Sequence, residues 1–171
     1  DRRRHLLFNG APGTGKTCFA RVLGKYYMER GVLTSGHVVE TTAASLIGKY
    51  VGSTAPNVKE AAEAARGGIL LIDEVYHFND DKFGSDAVTE LLTQMENNRK
   101  DFIVIAAGYR DENQAFLKNN KGLRDRFGGE FPFDDFNRNE MQRIVAQRIQ
   151  GFGMNMNDKA MTVLLDYLEK D

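Results

Sequence analysis

Gly10-Ala11-Pro12-Gly13-Thr14-Gly15-Lys16-Thr17 decides how the rest of the chain is read. It satisfies the spacing G-x-x-x-x-G-K-[ST] with the flanks that pattern needs, a short apolar run before it and an amphipathic segment after it. His5 to Asn9 reads as a buried strand stopped by a turn-forming loop, and a helix starts inside the loop at Gly15. Glycines let backbone N–H groups converge on a polyphosphate, and the positive end of the helix adds to that pull. Gly10, Ala11, Pro12, Gly13, Thr14, Gly15, Lys16, Thr17 and Cys18 form the candidate cradle. Lys16 would reach the β- and γ-phosphates, and the Thr17 hydroxyl would ligate Mg²⁺. The competing reading, a merely flexible glycine loop, does not explain the strand before it or the helix after it.

Phe19, Val22, Leu23 and Tyr26 recur at spacings of three and four, which predicts one apolar helix face, and Gly31 closes that helix. His37 to Thr41 is a second strand candidate, and Val58, Ala61, Ala62 and Ala65 suit a small-residue helix face. Gly67-Gly68 sets off Ile69-Leu70-Leu71-Ile72, too continuously apolar for a strand wet on one side and therefore central. Val88, Leu91, Leu92 and Met95 mark another helix, Phe102 to Ala107 another buried strand, and Glu130 to Phe133 a last short one. This alternation predicts an α/β fold, a parallel sheet with helices on both faces. Beyond Asp134-Asp135 the patterns are purely helical, at Met141, Ile144, Val145 and Ile149 and again at Met161, Leu164, Leu165 and Leu168. The predicted division is a nucleotide-binding α/β subdomain over 1–136 and the beginning of a small helical subdomain over 137–171. The polar stretch Arg110 to Lys121 is too short and mixed to be low-complexity.

The strand over Ile69 to Ile72 runs into Asp73-Glu74, and acids at the C-terminal tip of a central parallel strand sit where open α/β sheets bind ligands. Asp73 would hold Mg²⁺ through water, and Glu74 would polarise the water that attacks the γ-phosphate. The alternative is two solvated acids at a strand end. Guanine-reading proteins of this class carry Asn-Lys-x-Asp, but Asn120-Lys121 is followed here by Gly122-Leu123, so adenine is the expected base.

Length and composition bound the rest. At 171 residues there is room for one ordinary domain, and 42% hydrophobic with 27% charged residues excludes intrinsic disorder. A net charge of -1 gives no global pull toward nucleic acid or anionic membrane. A lone cysteine and the lack of a long apolar run point to a cytoplasmic or other reducing, soluble compartment. The opening Asp1-Arg2-Arg3-Arg4 enters a strand at once, which suggests a piece of something longer.

The motifs in this order resemble the AAA+ ATPases, in particular the group of red-type Rubisco activase (CbbX), stage V sporulation protein K and type VII secretion EccA. The segments that carry the resemblance are His5 to Gly10, Ile47 to Thr54, Gly67 to Tyr76, Leu92 to Arg99, Ala106 to Tyr109 and Gly122 to Phe127. The resemblance implies a P-loop NTPase of the AAA+ fold, with ATP and Mg²⁺ as cofactors and the start of a helical lid. It implies a homo-oligomeric ring, expected to be a hexamer, that remodels or threads a protein client through a central pore. It assigns Lys49-Tyr50-Val51-Gly52 to the pore loop, where an aromatic beside a β-branched residue gives a sequence-tolerant apolar grip. A hairpin turn, or a Tyr folded back on the sheet, is the alternative there. His77 to Asp86 would be a second pore-facing loop, unless Asn79-Asp80-Asp81 is a solvated turn and Ser85 or Asp86 a helix cap. Arg124 and Arg126 lie where the family supplies arginine fingers to a neighbouring subunit, unless they are surface charges or carboxylate partners.

Two departures stand out. The family commonly has a polar residue at the tip of the strand running Phe102 to Ala107, where this chain has Gly108-Tyr109. The lid arginine that senses the γ-phosphate, and the element that covers adenine, are expected outside residues 5–171. His5, His37 and His77 have no metal-site spacing with Cys18 and read as structural, and Cys18 itself as a buried inert thiol. A nucleic-acid motor or loader on the same fold would want a basic face, for which Arg2-Arg3-Arg4 is the local candidate. A slow scaffold that uses ATP only to assemble is the third reading.

Overall fold

A computed structural model of the chain describes residues 4–48, 50, 52–80 and 82–168. His5–Asn9 forms β1, buried along its whole length. Apolar side chains on both faces of a strand require cover on both sides of the sheet, and this chain supplies it with helices. β1 pairs in parallel with β4 (Ile103–Gly108) on one side and β5 (Phe127–Pro132) on the other. Beyond β4 lie β3 (Ile69–Asp73) and β2 (Val38–Thr42), so the order across the five-stranded sheet is β2-β3-β4-β1-β5. Every ladder is parallel, so the C-terminal ends of all five strands share one edge. The chain reverses its direction of travel across the sheet between β1 and β4, the switch point where open α/β sheets leave a crevice.

Side-chain alternation sorts the core into two layers. Leu7, Leu70, Ile72, Val104 and Ala106 pack on one face with helices α3 (Thr54–Ala64) and α4 (Lys82–Asn97). Leu6, Phe8, Ile69, Leu71, Ile103, Ile105 and Ala107 pack on the other with Ala20 of α1 (Lys16–Glu29). A short α2 (Ala43–Leu46) follows β2, and α5 (Arg110–Asn119) and α6 (Lys121–Arg124) join β4 to β5. Residues Asp1–Phe133 make one compact unit and Asp134–Asp171 a second. The second contains α7 (Arg138–Gly151), started by a capping box between Asn137 and Glu140, and α8 (Asp158–Leu168). An Arg138–Asp166 ion pair of 2.7 Å joins α7 to α8.

Several sequence expectations are corrected here. The predicted apolar face of α1 is only half in the core: Leu23 packs against it and Phe19 meets the ring of Phe8, whereas Val22 is 62% and Tyr26 46% exposed, and the fully buried positions are Lys16, Ala20 and Gly24. The reason is steric. A Cβ at Gly24 would collide with the Gly36 carbonyl oxygen, so α1 lies too close to its neighbours for a large side chain there. Cys18 is exposed rather than buried. Ser85 and Asp86 are not helix caps, because α4 already begins at Lys82. The polar stretch from Arg110 is helical, with Asn113, Phe116 and Leu117 as its buried side.

His5 sits at 3% exposure between the rings of Phe102 and Phe127, and its Nδ1 accepts the Val104 N–H at 2.8 Å. Burial, then the charges of Arg4 and Arg126, push its pKa down from 6.5 to about 3. The unfolded chain therefore takes up a proton below pH 6.5 that the folded chain refuses, and stability falls as pH drops from that point toward 3. Between pH 7 and 5 this amounts to about 2 kcal/mol. Urea unfolding across that range should show the loss in the parent chain, and the dependence should flatten in His5→Asn, which keeps a carbonyl acceptor for Val104.

Candidate functional site

The loop leaving β1 is bound tightly at its start. Gly10 N–H donates to the Gly108 carbonyl at 3.0 Å, and a Cβ at Gly10 would run into the Phe133 carbonyl, so only glycine fits. At the other end Gly15 adopts φ 91°, a left-handed conformation that glycine takes without penalty, and serves as the N-cap of α1. A glycine N-cap has no side chain to accept the first N–H groups of the helix, and α1 has no acid in its first turn. The free donors and the positive helix end are therefore left facing the loop, as an anion requires. Lys16 is buried, and its ammonium donates to the carbonyls of Gly10 and Ala11, each at 2.7 Å. Burial pushes its pKa below the ordinary lysine value, and the Asp73 carboxylate opposes that shift. The Thr14 hydroxyl closes the turn onto the Ala11 carbonyl at 2.8 Å. Thr17 is half-buried at the start of α1.

β3 delivers the acids at the same edge of the sheet. Asp73 pairs in register with Thr42, and its Oδ1 accepts the N–H of Glu74 at 2.9 Å. Glu74 is the one non-glycine with positive φ among the described residues, at φ 55° and ψ 44°. An L-residue held there costs about 1–2 kcal/mol, and such strain persists where the surroundings fix it. The consequence is a sharp reversal into the 3-10 turn Val75–Asn79, which turns the backbone away directly after the acid. Tyr76 follows two residues after the acid, inside that turn. The Tyr76 phenol is held above its ordinary pKa by desolvation first, then by the carboxylates of Glu74, Glu112 and Asp80. The strain at Glu74 is not legible in the sequence, since nothing in D-E-V-Y signals a left-handed acid.

Other predicted residues lie apart from this cluster. Tyr50 is 76% exposed on the connection between α2 and α3, in a turn closed by Ser53 Oγ donating to the Tyr50 carbonyl at 2.7 Å, with Gly52 at φ 84°. It is therefore not folded onto the sheet. Lys49 and Val51 lie outside the described residues, as do Asp81 of the second loop and Arg2 and Arg3 of the basic cluster. Within that second loop His77 Nδ1 meets Asp80 Oδ2 at 2.8 Å. The two arginines differ: Arg124 is exposed, whereas Arg126 donates to the Gly122 carbonyl at 2.6 Å and to Glu96 at 3.0 Å. Tyr109 is half exposed at the N-terminus of α5. The polar group beneath the tip of β4 is Asn113, fully buried on α5, which could have been found from its spacing to Phe116 and Leu117.

The profile of the ATPase family associated with various cellular activities (AAA) matches residues 6–135. Stage V sporulation protein K of Bacillus subtilis is 38% identical over 167 residues, 96% of this chain and 52% of that protein. Protein CbbX of Cereibacter sphaeroides is 38% identical over 168 residues, 96% of this chain and 54% of that protein. The chain thus spans about half the length of the curated relatives it matches. The crystal structure of the FIGL-1 AAA domain in complex with ADP superposes with a TM-score of 0.67 at 20% identity, covering 95% of this chain and 54% of that one, which is a likeness of fold.

The left-handed backbone at Glu74 makes an inverted stability order testable. Glu74→Gly and Glu74→Ala both lack the carboxylate, yet the glycine variant should be the more stable by about 1 kcal/mol, because alanine retains the backbone strain. Chemical denaturation midpoints of the two variants decide it, and equal or reversed stabilities would show that the positive φ carries no strain.

Proposed function

The chain belongs to the AAA family of ATPases, and from that premise we propose that it is the motor part of a ring-forming, Mg²⁺-dependent ATPase that remodels or threads protein clients. The observation that carries this reading is the convergence at one sheet edge. The phosphate loop leaves β1 and Asp73-Glu74 leaves β3, on either side of β4, with Lys16 near enough to Asp73 to feel its charge. Loop, cation and acids are the parts that phosphoryl transfer to water requires.

Each part has a role set by its chemistry. Lys16 would exchange the carbonyls of Gly10 and Ala11 for β- and γ-phosphate oxygens, with Gly13 and Thr14 lining the loop and the first N–H groups of α1 completing the cradle. The Thr17 hydroxyl and the Asp73 carboxylate are hard oxygen donors of the kind Mg²⁺ selects, so the residues present fit that ion. When bound, Mg²⁺ neutralises charge on the phosphate oxygens. Glu74 would take a proton from water as that water's oxygen bonds to the γ-phosphorus and the bond to the β-phosphate oxygen breaks. Arg124 or Arg126 would stabilise the transferring phosphate of a neighbouring copy, which makes turnover depend on assembly. Tyr50, exposed in its Ser53-closed turn, supports the role of a client grip, since a half-rigid aromatic offers contact area without sequence demands.

Two measurements test this. Calorimetric titration should find ATP binding abolished in Lys16→Ala but retained in Glu74→Gln, while the latter loses about 10²–10⁴ in turnover. Lost affinity or unimpaired hydrolysis in Glu74→Gln contradicts the assignment. In the full-length protein, Tyr50→Ala should keep ATP hydrolysis within about twofold and lose work on an unfolded protein client, because the turn does not touch the phosphate loop. ATPase stimulation by DNA, or by neither ligand, would favour the nucleic-acid motor or the scaffold instead.

A further inference from the structure

We infer that Asn113 is a positioning residue that fixes the start of the phosphate loop and links it, through Asn9 and Glu130, to β5; the inference rests on that loop being the ATP site. Asn113 is completely buried beneath the tips of β1 and β4. Its Nδ2 donates to Asn9 Oδ1 at 2.7 Å and to the Phe8 carbonyl at 3.1 Å, and lies 3.4 Å from the Gly108 carbonyl. That same Gly108 carbonyl receives the N–H of Gly10, the first residue of the loop. One buried amide therefore touches the last two residues of β1 and the oxygen that anchors the loop. β4 contributes no side chain here because Gly108 has none, and a Cβ at Gly108 would come within 3.0 Å of Asn113 Oδ1. The glycine and the asparagine fit each other.

The direction of the hydrogen bonds extends the link. Because Asn9 Oδ1 accepts from Asn113, the other end of the Asn9 amide must donate, and it does, to Glu130 Oε2 at 3.3 Å. Glu130 Oε1 accepts in turn from Gln114 Nε2 at 2.7 Å. A carboxylate terminates both donor chains, which an amide cannot do, since one of its ends donates. The run Asn113, Asn9, Glu130, Gln114 thus joins α5 to β1 and β5, and β5 begins beside Arg126, whose carbonyl accepts the His5 N–H. Asn113 Oδ1 has no donor, an arrangement that costs about 1–3 kcal/mol when buried and that an apolar residue would avoid. An amide stands at a position where packing alone would favour leucine, and its donor end supplies the reason.

The test compares ATP binding, saturating turnover and thermal unfolding in the full-length protein for Asn113→Leu, Glu130→Ala and the double variant. Each single substitution should raise the dissociation constant and KM for ATP about threefold to tenfold while leaving saturating kcat within about twofold, because the loop is displaced and the acids are not. The double variant should be no worse than the worse single, since both cut one chain. Glu130→Gln provides a surface substitution that cannot unfold the core, and its amide donor facing Asn9 or Gln114 should weaken ATP binding in the same direction. Lowered melting temperature with unchanged ATP affinity in these variants, or multiplicative losses in the double, overturns the inference. Wild-type ATP affinity in Lys16→Ala would instead remove the nucleotide-site reading on which it rests.

Discussion

Asn9 ends β1, and the parallel ladders on both sides hold it against Gly108 of β4 and Pro132 of β5. Its carbonyl accepts the Phe133 N–H at 2.7 Å, and its side chain is engaged at both ends. A residue fixed by two strands and by Asn113 cannot drift, so the loop that begins at Gly10 starts from a set position and direction. The rings of Phe8, Phe19, Phe131 and Phe133 pack around one another nearby, with Phe8 and Phe133 centroids 4.9 Å apart. This aromatic cluster presses the start of α1 and the end of β5 against the same strand. Burying several rings there stabilises the edge of the sheet by roughly 0.5–1.5 kcal/mol per pair beyond their area.

The placement of Lys16 follows from that anchoring. A buried ammonium needs acceptors, and Lys16 has them in the carbonyls of Gly10 and Ala11. The loop thus closes on its own cation. The contacts are neutral acceptors for a charged donor, weaker than the phosphate oxygens they would give way to, so ligand binding trades one set of hydrogen bonds for a stronger one. Strain is stored on the other side of β4, where Glu74 is held left-handed between a buried strand and a 3-10 turn whose Val75 and Phe78 are buried. Burial of those two side chains over-determines the backbone at Glu74.

The sequence carries much of this in plain form, and the losses have physical causes. The strand–loop–helix unit of β1 and α1 is legible because the loop's spacing and its flanks agree, and Ile69 to Ile72 because an all-apolar strand must lie inside the sheet. The face of α1 is read correctly at Phe19 and Leu23 and misread at Val22 and Tyr26, which hydrophobic periodicity rewards, whereas close backbone approach selects Ala20 and Gly24. The edge strand β5 begins earlier than its apolar pattern suggests, at Phe127, because Gly128 and Gly129 hide its first half. Asn113 escapes because a polar residue in a polar stretch looks solvated, and only the helix register places it beside Phe116 and Leu117 under the sheet. Hydrogen-bond direction, backbone sign and steric approach are three-dimensional quantities, and the residues they govern are the ones a one-dimensional pattern misses.

The central claim is that the loop between β1 and α1 is an ATP site in which Lys16 exchanges backbone carbonyls for phosphate oxygens. A crystal structure of the full-length protein with Mg²⁺ and a non-hydrolysable ATP analogue tests it most directly. The predicted result is a Lys16 ammonium within hydrogen-bond distance of the β- and γ-phosphate oxygens and released from the Gly10 and Ala11 carbonyls, with the metal beside Thr17 and Asp73. An analogue bound elsewhere, or a Lys16 still donating to both carbonyls beneath a bound triphosphate, would contradict it.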